Sequence, residues 1–258
     1  MDLNVLLAAI LISLLGLPHG ALDPVVAYQN KVWRKIPGLS LFLTVYAALA
    51  FAMIVFWWAT PLLGFIVFIA FSAVHFGRDY CRYSKNNYEH WAYGTFVIGL
   101  PVVLNELSTT KIIDYLLFGP TPLAFLWILQ VITVVSAIYL SLSLPKRGVS
   151  ATFELGALAI IAYVLDPLWY FVVFFCGLHS PRHLRLVYQT LNSELRFIGF
   201  IVMLFLTIVT LLVAVGVAMR VEASVLDLNS LLLQMLFIGL AGLTVPHMVL
   251  IEWIRERK

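Results

Sequence analysis

Apolar positions dominate the chain in long runs, and the polar positions fall almost wholly in the short gaps between them. Nine such runs cover residues 3–20, 39–60, 62–76, 91–104, 123–144, 151–165, 168–183, 197–219 and 231–254. A helix that crosses the hydrocarbon core needs about 20 predominantly apolar residues, and most of these runs approach or exceed that length. Backbone-breaking residues separate several of them, with Pro61 between the second and third and Asp166-Pro167 between the sixth and seventh. The longest connection, residues 105–122, contains the apolar stretch Ile112, Ile113, Tyr115, Leu116, Leu117 and Phe118 and reads as an interfacial segment. The pattern predicts an all-α polytopic membrane protein forming a single transmembrane domain over residues 1–258.

The cations give this count a test. Lys31, Arg34 and Lys35, then Arg78, Arg82 and Lys85, then Lys146 and Arg147, then Arg182, Arg185 and Arg196 occupy alternate connections. Arg255, Arg257 and Lys258 close the C-terminus, so that only Lys111 and Arg220 of the 16 Lys and Arg fall on the other side. Cytoplasmic connections carry the excess of Lys and Arg. Nine crossings, with the N-terminus outside and the C-terminus in the cytoplasm, therefore fit, and eight remain open if one short segment is re-entrant. No basic residue precedes the first run and no clear cleavage site follows it, so residues from Leu3 onward read as a retained helix in a multi-pass protein of the cell (inner) membrane.

Composition agrees with the pattern. The chain of 258 residues is 62% hydrophobic and 11% charged, whereas a soluble domain carries about 25% charged residues. A net charge of +3 with no basic cluster excludes nucleic acid as an expected partner. Two cysteines, Cys81 and Cys176, are too few for a disulfide framework and form no CxxC pair. The 36 aromatic residues could line a tunnel for a long apolar substrate or serve only as packing.

The histidines carry the chemistry. On the charge-derived topology His19, His75, His179 and His183 end inward-running helices, His247 lies in the inner half of the last, and His90 begins the fourth at the same face. Ionisable residues inside a membrane are costly and mark sites or pathways. Any one of these histidines alone reads equally well as an interfacial side chain bonded to a backbone carbonyl. His179 and His183 differ, because residues four apart share a helical face and can share an ion. Pro181 between them also frees the carbonyl of Gly177 and should distort the helix.

Imidazole suits iron, zinc, copper and nickel. No cysteine set and no HExxH helix points to zinc, and haem pairs would commonly use both faces, whereas a shell of four imidazoles would leave the full charge on Fe²⁺ and could keep positions open for O₂. Asp79 lies four residues after His75 and Asp23 four after His19, and Glu154 enters an otherwise apolar run. Each could orient an imidazole by accepting its second N–H, or could be a solvated helix end.

Four stretches, Leu17-Pro18-His19-Gly20-Ala21-Leu22-Asp23, His75-Phe76-Gly77-Arg78-Asp79, Phe175-Cys176-Gly177-Leu178-His179-Ser180-Pro181-Arg182-His183 and Pro246-His247-Met248, resemble the Brp/Blh family of integral-membrane β-carotene 15,15′-dioxygenases. In order, they span almost the whole chain. The resemblance implies Fe²⁺ ligands at His19, His75, His179 and His183, with His247 a fifth nearby histidine, either a ligand or a support to one. It implies β-carotene and O₂ as substrates, retinal as product and a functional link to a retinal-binding rhodopsin. His90 matches no family motif. Two rivals remain at this point: a di-iron histidine-box desaturase or hydroxylase, which needs about eight histidines, and a metal or haem transport protein, which needs polar groups along a whole pathway.

Overall fold

A computed structural model describes residues 2–80, 86–143, 149–218 and 228–257. Cys81, Arg82, Lys85, Lys146, Arg147 and Arg220 lie outside the described residues, as do the side chains of His19 and Asp79. The described residues form helices and no strand. In chain order these are α1 (Leu3–Leu11), α2 (Asp23–Gln29), α3 (Ile36–Ala59), α4 (Pro61–Tyr80), α5 (Asn87–Leu104) and α6 (Glu106–Leu117). They continue as α7 (Leu123–Ser143), α8 (Val149–Val164), α9 (Pro167–Val172), α10 (Ser180–Thr190), α11 (Ser193–Ala218) and α12 (Leu228–Glu256). A π-helical turn (Ile12–Gly16) and a 3₁₀ turn (Leu17–Leu22) join α1 to α2, and a second π segment (Val173–His179) joins α9 to α10.

Each of the nine apolar runs coincides with a helix or a chain of helices. Six of them, among the described residues, are long and apolar enough to cross a membrane: Leu3–Gln29, Ile36–Ala59, Pro61–Arg78, Leu123–Ser143, Ser193–Val213 and Leu228–Glu256. The pair α5 and α6 would make a seventh, but bends by 111° at Asn105, where the backbone leaves the helical region at φ −144° and ψ 57°. The sixth run, α8, is a shorter apolar helix.

Local chemistry sets the helix limits. Thr60 is forced out of the helical region because it precedes Pro61, which ends α3 and opens α4. Asp166 caps α9 by accepting from the Leu168 amide, with Pro167 in the first turn, where its missing N–H costs nothing. Asn86 caps α5 by accepting from the Tyr88 amide. Phe118 ends α6 in the left-handed region, at φ 57°.

The helices fall into two compact units, one of Pro61–Phe174 and one of Met1–Thr60 with Phe175–Lys258. In the first, α5 is the central element, buried along most of its length and flanked by α4 and α7. Its approach to α4 depends on Gly77, where a Cβ would strike the backbone of His90, and on Gly94, where one would strike Ala73. Small residues at such a seam let helix backbones touch, a feature of membrane bundles. The second unit is built on α3 against α12. On α12, Gly242 meets Ala50 and Ile54 of α3, and farther along Leu250 and Ile254 belong to the cluster that Phe42 packs against, so the two helices run antiparallel. The outer faces of α3, α7 and α11 carry exposed apolar residues such as Phe51, Val131 and Phe205, as expected of scaffold helices that face lipid.

Candidate metal centre

Within the second unit, two of the elements that carry histidine are irregular, the 3₁₀ turn with His19 and the π segment that ends at His179. Pro18 cannot donate to Leu14, and the chain before it widens into the π turn Ile12–Gly16. Pro181 likewise cannot donate to Gly177, and the π segment Val173–His179 lies before it. Such widened turns occur frequently at functional sites. The two irregular segments are tied together. Ser180 donates through its hydroxyl to the Leu15 carbonyl at 2.6 Å, and the Cys176 thiol approaches the Leu11 carbonyl at 3.6 Å. Gly16 packs directly on the ring of Phe175, where no side chain would fit. Phe175 in turn stacks on His179, with ring centroids 5.5 Å apart and planes 17° from parallel.

Three imidazoles follow one another from there. His179 and His183 have centroids 6.0 Å apart, and His183 meets His247 of α12 edge-on at 5.3 Å. Each ring is at most 6% exposed, and the Nε2 atom of each is buried. The far side of His247 is fixed by a carboxylate. Both Asp23 oxygens lie 2.9 Å from His247 Nδ1, and Asp23 Oδ2 also accepts from the Tyr46 hydroxyl at 2.7 Å. Asp23 is itself only 2% exposed, at the start of α2. A carboxylate accepts from Nδ1–H, which directs the Nε2 lone pair of a neutral ring away from Asp23.

One of the two ring separations suits a shared ion. Ligand nitrogens about 2.1 Å from an ion place imidazole centroids about 4.5–5.5 Å apart, close to the His183–His247 separation and somewhat inside that of His179–His183. Among the described residues, no three His, Cys, Asp or Glu side chains close on one point at ligand distance. The donor set, imidazoles in an apolar surround with a carboxylate behind one ring, is of a kind that suits a divalent transition metal.

The remaining sequence candidates are placed as follows. His19 lies in the 3₁₀ turn Leu17–Leu22, on the chain between the first π turn and Asp23. The i, i+4 spacing pointed Asp23 toward His19, whose side chain lies outside the described residues; among the described residues Asp23 meets His247 and Tyr46. In the other unit, His75 is buried on α4 beside Phe76, and His90 is buried at the start of α5 against Gly77. Asp79 lies in the last turn of α4. Glu154 accepts from the Tyr93 hydroxyl at 2.7 Å, and the Tyr93 ring stacks on Tyr80 at 3.9 Å. Sequence reasoning missed Tyr46 and Ser180. Tyr46 is the lone phenol in the apolar helix α3, the one signal that marked it.

A helical chain with membrane-length helices and buried imidazoles, one of them backed by a carboxylate, has the features of an integral-membrane protein with a histidine-rich centre. Comparison with known proteins narrows this further. The family model for beta-carotene 15,15'-dioxygenase matches residues 10–255. A beta-carotene 15,15'-dioxygenase from uncultured marine bacterium 66A03 is 31% identical over 261 residues, covering 96% of this chain and 92% of that protein. No solved structure matches the chain significantly. The chain belongs to the beta-carotene 15,15'-dioxygenase family and is an enzyme of that carotenoid-cleaving class.

Proposed function

We propose that the protein uses Fe²⁺ and O₂ to cleave the central 15,15′ double bond of β-carotene into two molecules of retinal. The observation that carries the metal reading is the buried run His179–His183–His247 with Asp23 behind it. The substrate reading is supported by the family match and by the name of the marine relative. The family resemblance of the motifs implies His19 and His75 as ligands beside His179 and His183, with His247 a fifth histidine that is either a ligand or a support to one.

The reaction balances without an outside reductant. The C15=C15′ bond breaks, each carbon gains one oxygen atom from O₂, and the polyene is oxidised as O₂ is reduced. Bound iron supplies the O₂ activation. The protein holds the imidazoles in fixed directions, through the two tied π segments and through Asp23 on His247 Nδ1. Phe175 covers a face of His179 and keeps water from it. Positioning one bond of a long conjugated rod is the larger share of such catalysis.

The same reading places the chain in the cell membrane with nine crossings, its N-terminus outside and its C-terminus in the cytoplasm, taking β-carotene from the bilayer and supplying retinal to a rhodopsin. The test is product identity. Purified protein with Fe²⁺, β-carotene and ¹⁸O₂ should give retinal at two molecules per carotene, each carrying label before exchange with water. A pair of unequal apocarotenals, or unlabelled retinal under the same brief incubation, would reject central dioxygenation.

A further inference from the structure

We propose that Tyr46 is a positioning residue for the metal centre: its hydroxyl fixes the Asp23 carboxylate, which fixes the ring of His247. The proposal rests on the metal reading above and adds a residue that no motif in the sequence marks.

The register of α3 against α12 puts Tyr46 where it can act. Gly242 sits against Ala50 and Ile54, because a Cβ there would lie 3.1 Å from Ile54 and 3.3 Å from the Ala50 carbonyl oxygen. Phe42 packs against the cluster of Ala27, Leu250 and Ile254. Tyr46 is one helical turn from both Phe42 and Ala50, so it faces the part of α12 between Gly242 and Leu250, which includes His247.

The carboxylate needs Tyr46 for its orientation. His247 Nδ1 is equally far, 2.9 Å, from both oxygens of Asp23, so that contact alone does not choose between them. The phenol does choose, donating at 2.7 Å to Oδ2 alone. A hydrogen bond from a neutral donor to a buried carboxylate is among the stronger kinds. Tyr46 therefore sets the plane of the carboxylate, and the plane sets the direction in which His247 turns Nε2 toward His183. Removing the hydroxyl keeps the ring and its packing on Phe42, at 5.8 Å, while freeing the carboxylate to rotate.

The test uses Co²⁺ as a probe whose d–d absorption reports ligand number and geometry. Metal-free full-length protein in detergent is titrated with Co²⁺, with unsubstituted protein and His183→Ala as reference arms. Saturable binding by the first and its loss in the second support the centre itself; if His183→Ala binds as well as the unsubstituted protein, the metal reading falls. Given that reference, Tyr46→Phe should bind Co²⁺ about tenfold more weakly and with a shifted spectrum, and Asp23→Asn should weaken it further, toward a hundredfold. Phe42→Leu, at the same seam without a hydroxyl, should titrate as the unsubstituted protein does. An unchanged affinity and spectrum in Tyr46→Phe, or an equal loss in Phe42→Leu, would overturn the positioning role.

Discussion

The Ser180 hydroxyl reaches 165 positions back along the chain to bond the Leu15 carbonyl at 2.6 Å, joining the two π-distorted segments of the histidine-bearing unit. Leu15 lies in the first π turn, and Ser180, the first residue of α10, follows directly on the second π segment. Ser180→Ala should cost about 1–3 kcal/mol, because Ser180 is buried and the carbonyl would lose its partner away from water. Unfolding in mixed detergent micelles measures this. A loss below about 0.5 kcal/mol would mean that the two segments are held by packing alone.

Helix approach in the other unit makes a sharper mutational contrast. Gly77→Ala and Gly94→Ala each drive a methyl into the backbone of the facing helix and should destabilise by about 1–3 kcal/mol or more. Gly156→Ala, inside α8 with open space around it, should be neutral or gain up to about 1 kcal/mol from helix propensity. Equal effects at all three positions in the same unfolding assay would contradict the seam described for α4 and α5.

Gln29 clamps the end of α2 to the end of α10. Its amide nitrogen donates to the Thr190 carbonyl at 2.8 Å, and its amide oxygen accepts from the Asn192 amide at 3.0 Å. These helices carry Asp23 and His183, so the clamp holds the two supports of the centre in register. Gln29→Ala should speed amide exchange at Asn192 at least tenfold, an opening free energy lowered by about 1.4 kcal/mol. Unchanged exchange there would show that the clamp is dispensable.

Ligand assignment has a direct mutational consequence. Replacing His19, His75, His179 or His183 with Ala should remove bound iron and activity together, as read by metal analysis of each purified variant. Full iron content with normal turnover in two of the four would end the four-ligand proposal. Asp79→Asn should lower iron affinity by about 10–100-fold if that carboxylate orients an imidazole, and should leave the titration unchanged if it only ends α4.

What the sequence reveals and conceals follows from the range of each interaction. The nine apolar runs all coincide with helices, because burial in lipid and backbone satisfaction are local demands that composition states directly. Proline marks were equally readable: Pro61 and Pro167 begin helices, and Pro181 distorts one as its lost hydrogen bond requires. The form of that distortion was not readable, since a π turn depends on neighbours such as Ser180 and Phe175 that come from elsewhere in the chain. The turn of 111° at Asn105 agrees with the reading of residues 91–104 as one segment followed by an apolar stretch of different direction. At the centre, the spacing of His179 and His183 reported a shared face correctly. The contact of Asp23 with His247 could not be read from spacing, because His247 lies 224 residues away and arrives only through the packing of α12 on α3. Tyr46 escaped notice for the same reason.

Iron dependence of retinal formation tests the central claim most directly. Protein stripped of metal by a chelator and then titrated with Fe²⁺ under O₂ should form no retinal at the start. Its turnover should rise to a plateau at one iron per chain, and His183→Ala should stay at the baseline throughout. Undiminished turnover in the stripped protein, or a plateau in His183→Ala equal to that of the unsubstituted enzyme, would contradict a histidine-held iron centre.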